Sequence, residues 1–197
     1  MFEEFKNKRV AIIGSGGNVI GKNKGTYIDS FDYVIRFNKS ITDGYEEDVG
    51  KKTTHRVINP LVYLCKPLGS DFPKQDQYFI KKIKNQEIVV IGVSVGDTND
   101  SIIDTTCNIK HIGHQKCLDF NKKNNLNKPT VGYFTVIYLV GLNYGIDIEL
   151  FGFSVDDGNK VTHYWENRPP KSKTHFYNVE RDHLRNLAIK GKIKICI

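Results

Sequence analysis

Two rhythms of apolar and polar positions run along the chain. Short, nearly continuous apolar runs occur at Lys8–Ile13 (K-R-V-A-I-I), Asp32–Phe37 (D-Y-V-I-R-F), Thr54–Ile58 (T-H-R-V-I), Glu87–Val93 (E-I-V-V-I-G-V) and Asp147–Phe153 (D-I-E-L-F-G-F), with a last one at Lys192–Cys196. Runs of this length without strict alternation predict strands covered on both faces. Thr130–Tyr144 instead carries apolar residues at helical spacing, with Pro129 as a rigid entry, Thr130 as N-cap and a stop at Gly145. Phe176–Lys190 is a second amphipathic helix, closed by Gly191. Residues 66–84 and 98–128 fit neither rhythm and are expected to form short helices and surface loops. Buried strands alternating with helices predict an α/β fold, a single Rossmann-like three-layer sandwich with a mainly parallel sheet. No repeat, linker or low-complexity tract divides residues 1–197, so one domain is expected.

Composition adds few constraints. Hydrophobic residues are 39% and charged residues 26% of 197, ordinary for a soluble globular chain able to bury a substantial core. The apolar stretches Glu87–Val95 and Tyr133–Leu142 fall short of the ~20 residues needed to span a bilayer, so no transmembrane segment is expected. Met1-Phe-Glu-Glu-Phe-Lys is polar where a secretory signal needs an apolar segment, which makes the cytoplasm the expected compartment. The net charge of +7 comes from scattered lysines rather than one basic stripe, which argues against a nucleic-acid partner and leaves an anionic substrate or compositional bias. Cys65, Cys107, Cys117 and Cys196 lack C-x-x-C spacing and read as reduced thiols.

Candidate chemistry begins at Gly14-Ser15-Gly16-Gly17-Asn18, directly after the first strand. A glycine-rich turn there lets backbone N–H groups approach a phosphate. Val19 occupies the place of the third glycine of a dinucleotide fingerprint, and no Lys-Ser/Thr follows as in a P-loop. A plain tight turn is an equal reading of this segment alone.

The continuation carries more. A G-x-x-G-N turn is followed by I-D-S-x-D-x-V-x-R-x-N-K and then G-Y-E-x-D-V-G-x-K-T-T-H, together spanning Lys8 to Pro60. This string resembles the large sialylmotif of the eukaryotic-type sialyltransferases, glycosyltransferase family 29. Pro129–Phe153 resembles the small sialylmotif, His163-Tyr-Trp-Glu-Asn167 the third motif, and His175-Phe-Tyr-Asn-Val-Glu180 the very small motif, all in the family's order.

The resemblance implies a GT-A-like sialyltransferase variant of the Rossmann-type sandwich. It also implies an inverting, metal-independent transfer of sialic acid from CMP-sialic acid to an acceptor sugar hydroxyl, with no cofactor and a glycan as second partner. By the same resemblance His175 is the general base, a task that suits a neutral imidazole. His163 hydrogen-bonds the leaving phosphate, and Asn18 and Asn38 contact donor phosphate and ribose. Gly14, Ser15 and Gly16 form the donor loop, Thr130 and Gly132 the helix start that meets the nucleotide, and Phe153 flanks the cytosine. Glu180, Tyr164 and Trp165 have supporting places, the two aromatics as core or lid residues. Asp156-Asp157 has no spaced acidic partner and reads as a solvated turn rather than a metal motif.

There are departures from the family pattern. The cysteine that family members place in the large motif is Val10 here, and its small-motif partner is missing around Asn143–Gly145, which fits a reducing compartment. Ser15 stands for a frequent Asn, Thr130-Val131 for Ser-Thr, and Thr162 for the first of two histidines. These leave open a CMP-Kdo donor and an inactive CMP-binding module. A dinucleotide oxidoreductase is disfavoured by the incomplete fingerprint. Acceptor, linkage, oligomeric state and competing hydrolysis are not encoded legibly.

Overall fold

Alternation along the apolar runs divides the sheet's side chains between two cores. In β1 (Arg9–Ile13), Val10 and Ile12 face one side while Ala11 and Ile13 face the other. β2 (Tyr33–Phe37) divides likewise, with Ile35 and Phe37 against Val34, as does β6 (Asp147–Phe151), with Ile148 and Leu150 against Phe151. Strands buried on both faces need helices on both faces. The computed structural model describes residues 2–59, 83, 86–91, 109–153, 163–166 and 177–196.

Those residues build one sheet of seven strands, completed by β3 (His55–Ile58), β4 (Glu87–Ile91), β5 (Ile109–Ile112) and β7 (Lys194–Cys196), in the order β5-β4-β3-β2-β1-β6-β7. Every pairing is parallel. On one face lie the single-turn helices α1 (Gly25–Asp29) and α2 (Glu46–Val49), which bury Ile28 and Val49 with Phe31 and Tyr164. The other face is covered by α3 (His114–Lys123), α4 (Val131–Gly141) and α5 (Tyr177–Ile189). The expected three layers are therefore present. None of the described helices is long and apolar enough to cross a membrane.

α4 buries residues around its whole circumference, including Phe134, Val136, Ile137 and Leu139, as a helix pressed against the sheet must. Side chains of this kind contribute about 1.5–3 kcal/mol each on burial. α5 is amphipathic, presenting Glu180 and Leu184 inward, and Gly191 at φ 64 ends it with Lys192 N–H donating to Leu187 O at 2.9 Å.

The six expected strands are found with slightly shorter limits, and the sequence expectation differs from the structure in two places. The segment 98–128 is not only helix and loop, because its described part opens with β5 before α3. Ile109-Lys-His-Ile has too short and too polar an apolar run to announce a strand, and its pairing with β4 is what orders it. α4 ends at Gly141 rather than Tyr144, because Asn143 takes a left-handed φ of 52. Residues 66–82, 84, 92–93 and 98–108 fall outside the described residues.

Strands β1 to β5 progress outward in one direction, whereas β6 and β7 lie on the other side of β1. The order therefore reverses between β1 and β6. In parallel α/β sheets such a switch point opens the ligand crevice.

Candidate active site

The loop after β1 meets the loop after β6 at this switch point. Gly14 N–H donates to Phe151 O at 2.7 Å and Gly16 N–H to Gly152 O at 2.8 Å. A Cβ on Gly14 would lie 2.5 Å from Gly152 O, and Gly152 itself has a φ of +68. Glycine is needed at Gly14 so that two backbones can touch, which is a packing requirement before any ligand arrives. Ser15 accepts the Tyr164 N–H through its carbonyl at 2.8 Å. Asn18 follows in a short 3-10 turn, Gly17–Val19; its Nδ2 donates to Phe153 O at 3.2 Å. Its Oδ1 is buried with no partner among the described residues. A buried acceptor without a donor is costly, so this carbonyl is suited to a ligand N–H or O–H.

Asn38 leaves β2 with a left-handed φ of 45 and is clamped by the next strand. Its N–H donates to Val57 O, its Oδ1 accepts Asn59 N–H, and its carbonyl accepts Arg56 Nη1, each at 2.9 Å. With the side-chain oxygen bound to Asn59, the amide NH2 is the end of Asn38 suited to a ligand oxygen.

The amino end of α4 completes the rim. Phe153 lies edge-on to Phe37, with ring centroids 6.4 Å apart, and a Cβ on Gly132 would come within 3.4 Å of the Phe153 ring. Thr130 caps the helix, accepting Tyr133 N–H at 3.1 Å. Its own N–H and hydroxyl both donate to Glu180, at 2.7 Å each. Thr130 therefore spends its side chain on architecture, while the N–H groups of Val131 and Gly132 have no acceptor among the described residues and sit at the positive end of the helix. One turn further, Tyr133 Oη meets His183 Nδ1 at 2.5 Å. Burial, with Glu180 adding to it, pushes the Tyr133 phenol up to about 12, so it donates to the imidazole. Burial and then Lys190 lower His183 from its usual value. Two pairs at matching three-residue steps thus fasten α5 to the start of α4. The sequence reading missed Tyr133 and His183; their one signal is that they lie three residues after Thr130 and Glu180, on the same helix faces.

The turn His163–Glu166 stands over the β1 loop. It closes with an antiparallel bridge between its ends, Glu166 N–H donating to His163 O at 2.9 Å. Besides its N–H bond to Ser15, Tyr164 donates its hydroxyl to Ile41 O and packs edge-on against Tyr45. Burial pushes its phenol up to about 12 even though Arg36 and Arg56 pull the other way. Tyr164 is thus a core strap, and Trp165 is half-buried and stacked on the His163 ring at 4.7 Å and 8°. His163 Nδ1 lies 3.0 Å from Glu166 Oε2.

Most polar residues of the long motif turn out to brace loops. Asp29 accepts the N–H groups of Lys51 and Lys52, Asp32 that of Arg9, and Asp48 that of Asn23. Arg36, fully buried, donates to the carbonyls of Val49, Gly50 and Lys52 and to the Thr53 hydroxyl. Burial brings Arg36 and Arg56 each down to about 10. His55, last residue of T-T-H, lies at the opposite edge of the sheet. Its Nε2 is 2.9 Å from Glu87 and 3.3 Å from Glu4, and its Nδ1 is 3.0 Å from the Thr54 hydroxyl. The donor atoms of Glu4, His55 and Glu87 lie within 4.8 Å of one another, but the Lys110 ammonium already pairs with both carboxylates.

The structure thus brings Gly14, Ser15, Gly16, Asn18, Asn38, Thr130, Gly132, Phe153, His163, Tyr164, Trp165 and Glu180 to the carboxyl edge of the sheet or to helices fastened there. His175, Asp156, Asp157 and Thr162 lie outside the described residues. A family model described as glycosyltransferase family 29 (sialyltransferase) matches residues 2–91 and 98–192. The chain belongs to glycosyltransferase family 29. The human family member CMP-N-acetylneuraminate-beta-galactosamide-alpha-2,3-sialyltransferase 1 is 30% identical over 203 residues, an alignment covering 95% of this chain and 58% of that protein. The chain therefore spans little more than half of that relative's length. A mammalian sialyltransferase crystal structure superposes with a TM-score of 0.66 at 26% identity, covering 96% of this chain and 68% of that one. Another, solved with Gal-beta-1-3GalNAc-ortho-nitrophenol bound, gives 0.64 at 25% identity, covering 96% and 69%. Family 29 membership and the sandwich fold agree.

Proposed function

We propose that this family 29 chain transfers sialic acid from CMP-sialic acid to a glycan hydroxyl, with inversion and without a metal or cofactor. The observation that carries the reading is the convergence, at one switch point, of the Gly14–Asn18 loop, Asn38, the α4 start with Phe153, and the His163 turn strapped to Ser15. A nucleoside monophosphate suits this rim. The buried Asn18 Oδ1 asks for a donor such as a ribose hydroxyl, the Asn38 amide and the α4 N–H groups offer donors to oxygen, and Phe153 offers an aromatic face beside the base.

In the reaction the bond between the anomeric carbon and the phosphate oxygen breaks, and its electron pair stays on that oxygen. The acceptor oxygen bonds to the anomeric carbon from the opposite face and gives its proton to His175. His163 meets the phosphate, where a hydrogen bond that strengthens as charge accumulates lowers the barrier. Glu180 holds the start of α5, close in sequence to His175, onto α4. Val10 in place of the large-motif cysteine supports a reducing, cytoplasmic setting for this chemistry. Mass spectrometry after incubation with CMP-sialic acid and a galactoside panel tests the whole. Sialylated product that survives EDTA and disappears in His175→Ala is expected. Product from CMP-Kdo alone, CMP binding without turnover, or normal transfer by His175→Ala would each contradict the proposal.

A further inference from the structure

The His163–Glu166 turn holds a contact that the transfer chemistry above does not use. Glu166 Oε2 lies 3.0 Å from His163 Nδ1. An ionised carboxylate only accepts, so the proton between them belongs to Nδ1. The imidazole is also stacked on Trp165 at 4.7 Å and 8°, Trp165 packs edge-on against Tyr164, and Tyr164 is fastened to Ser15 and Ile41. With the ring's tilt fixed and Nδ1 taken, Nε2, which has no partner among the described residues, is the ring atom left to meet a ligand.

We propose that Glu166 is a positioning residue that makes His163 an imidazolium, held between its own carboxylate and the phosphate, when the donor binds. The inference rests on the donor-site reading given under Proposed function. A phosphate oxygen accepts, so Nε2 must carry a proton to hold it, and Nδ1 keeps its proton because Glu166 accepts it. A neutral ring therefore takes up one proton from solvent as the ligand arrives. No covalent step is assigned to Glu166; it orients the ring and stabilises its charge, and charge-assisted bonds of this kind are about twice as strong as neutral ones. Among the described residues, Tyr45 packs on Tyr164 of this turn, Arg36 and Arg56 act on the Tyr164 phenol, itself pushed up to about 12, and the adjoining loop and α2 carry Lys39, Asp43, Glu46, Glu47 and Asp48. Of the described residues, only Glu166 bonds the ring.

Glu166→Gln tests this in the full chain with CMP as the probe. The side chains of His163 and Glu166 are 37% and 40% exposed, so the substitution leaves the fold intact, which an unchanged melting temperature checks. Ring nitrogen-15 spectra of the CMP complex at pH 8 should show both His163 nitrogens protonated in the wild type. In the variant the Gln amide donates to Nδ1, so only Nε2 should be protonated. CMP affinity should fall about tenfold at pH 8, and the proton uptake read from binding heats in different buffers should drop to near zero. A residue of merely structural importance would weaken binding without changing ring protonation. Identical ring protonation in the two complexes overturns the role of Glu166 while leaving the donor site standing. Failure of the wild type to bind CMP overturns the donor reading and this role with it.

Discussion

Each edge of the sheet carries a histidine beside a carboxylate, and the two are built for different ends. At the amino edge His55 is 2% exposed, and both its ring nitrogens are engaged, by Thr54 on one side and Glu4 and Glu87 on the other. Lys110 joins the same carboxylates, so the polar network is closed within the protein. At the carboxyl edge the His163 side chain is 37% exposed and, among the described residues, its ring is engaged through Nδ1 while Asn18 keeps a buried acceptor unpaired. Both histidines fall in motif strings. A closed polar network holds a fold together, whereas an incomplete one at a switch point waits for a ligand to finish it.

Removing His55 should give the largest effect on the fold and none on the ligand. His55→Ala leaves a cavity and three charged partners rearranged, so chemical denaturation should show a loss of about 2–4 kcal/mol, with CMP affinity of the folded fraction unchanged. His163→Ala should do the reverse. Losing a hydrogen bond to a charged phosphate costs about 1.5–3 kcal/mol, or 10- to 150-fold in CMP affinity by calorimetry, with little change in melting temperature. If both variants lost stability equally, the comparison would break.

Glu180→Gln sharpens it at the junction between fold and site. One charge-assisted bond to Thr130 is weakened and stability should fall by about 1–2 kcal/mol, with turnover reduced more than CMP affinity because α5 is loosened from α4. Equal losses in both kinetic constants would argue that Glu180 serves donor binding instead.

Acid should act on the amino edge most gently of all. Burial holds the His55 imidazole below its ordinary value of 6.5, with Glu87 and Glu4 pulling the other way. The unfolded chain therefore binds protons first as pH falls below about 6.5, and stability declines from there. His183, lowered by burial, adds to the same slope. Glu4 adds a later loss: burial raises its carboxyl, but Lys110 and His55 more than offset this and hold it below its ordinary value of 4.5. Unfolding titrations at several pH values should show a shallower slope for His55→Gln between pH 6.5 and 5.

The strands that lie deepest were the most legible, since continuous apolar runs such as Val10–Ile13 leave little choice. β5 escaped because Lys110 interrupts its run, and its long-range pairing with Glu4 and Glu87 is invisible in local spacing. The ordered motifs picked out residues that the fold gathers at the carboxyl edge but could not divide them into bracing and binding. Asp29, Asp32, Asp48, Thr54 and Arg36 are bound to backbone groups roughly 13 to 25 positions away, which no spacing rule announces. Thr130, expected to meet the nucleotide, has its hydroxyl committed to Glu180 and Tyr133 N–H, and the neighbouring backbone N–H groups are better placed for that task.

The central claim is that the carboxyl edge, and not the amino edge, receives a CMP-linked donor. Amide chemical-shift mapping with CMP tests it most directly. Shifts are expected at Gly16, Asn18, Asn38, Gly132, Phe153 and His163, with Glu4, His55, Glu87 and Lys110 unmoved. Shifts clustered around His55, or none at saturating CMP, would contradict it.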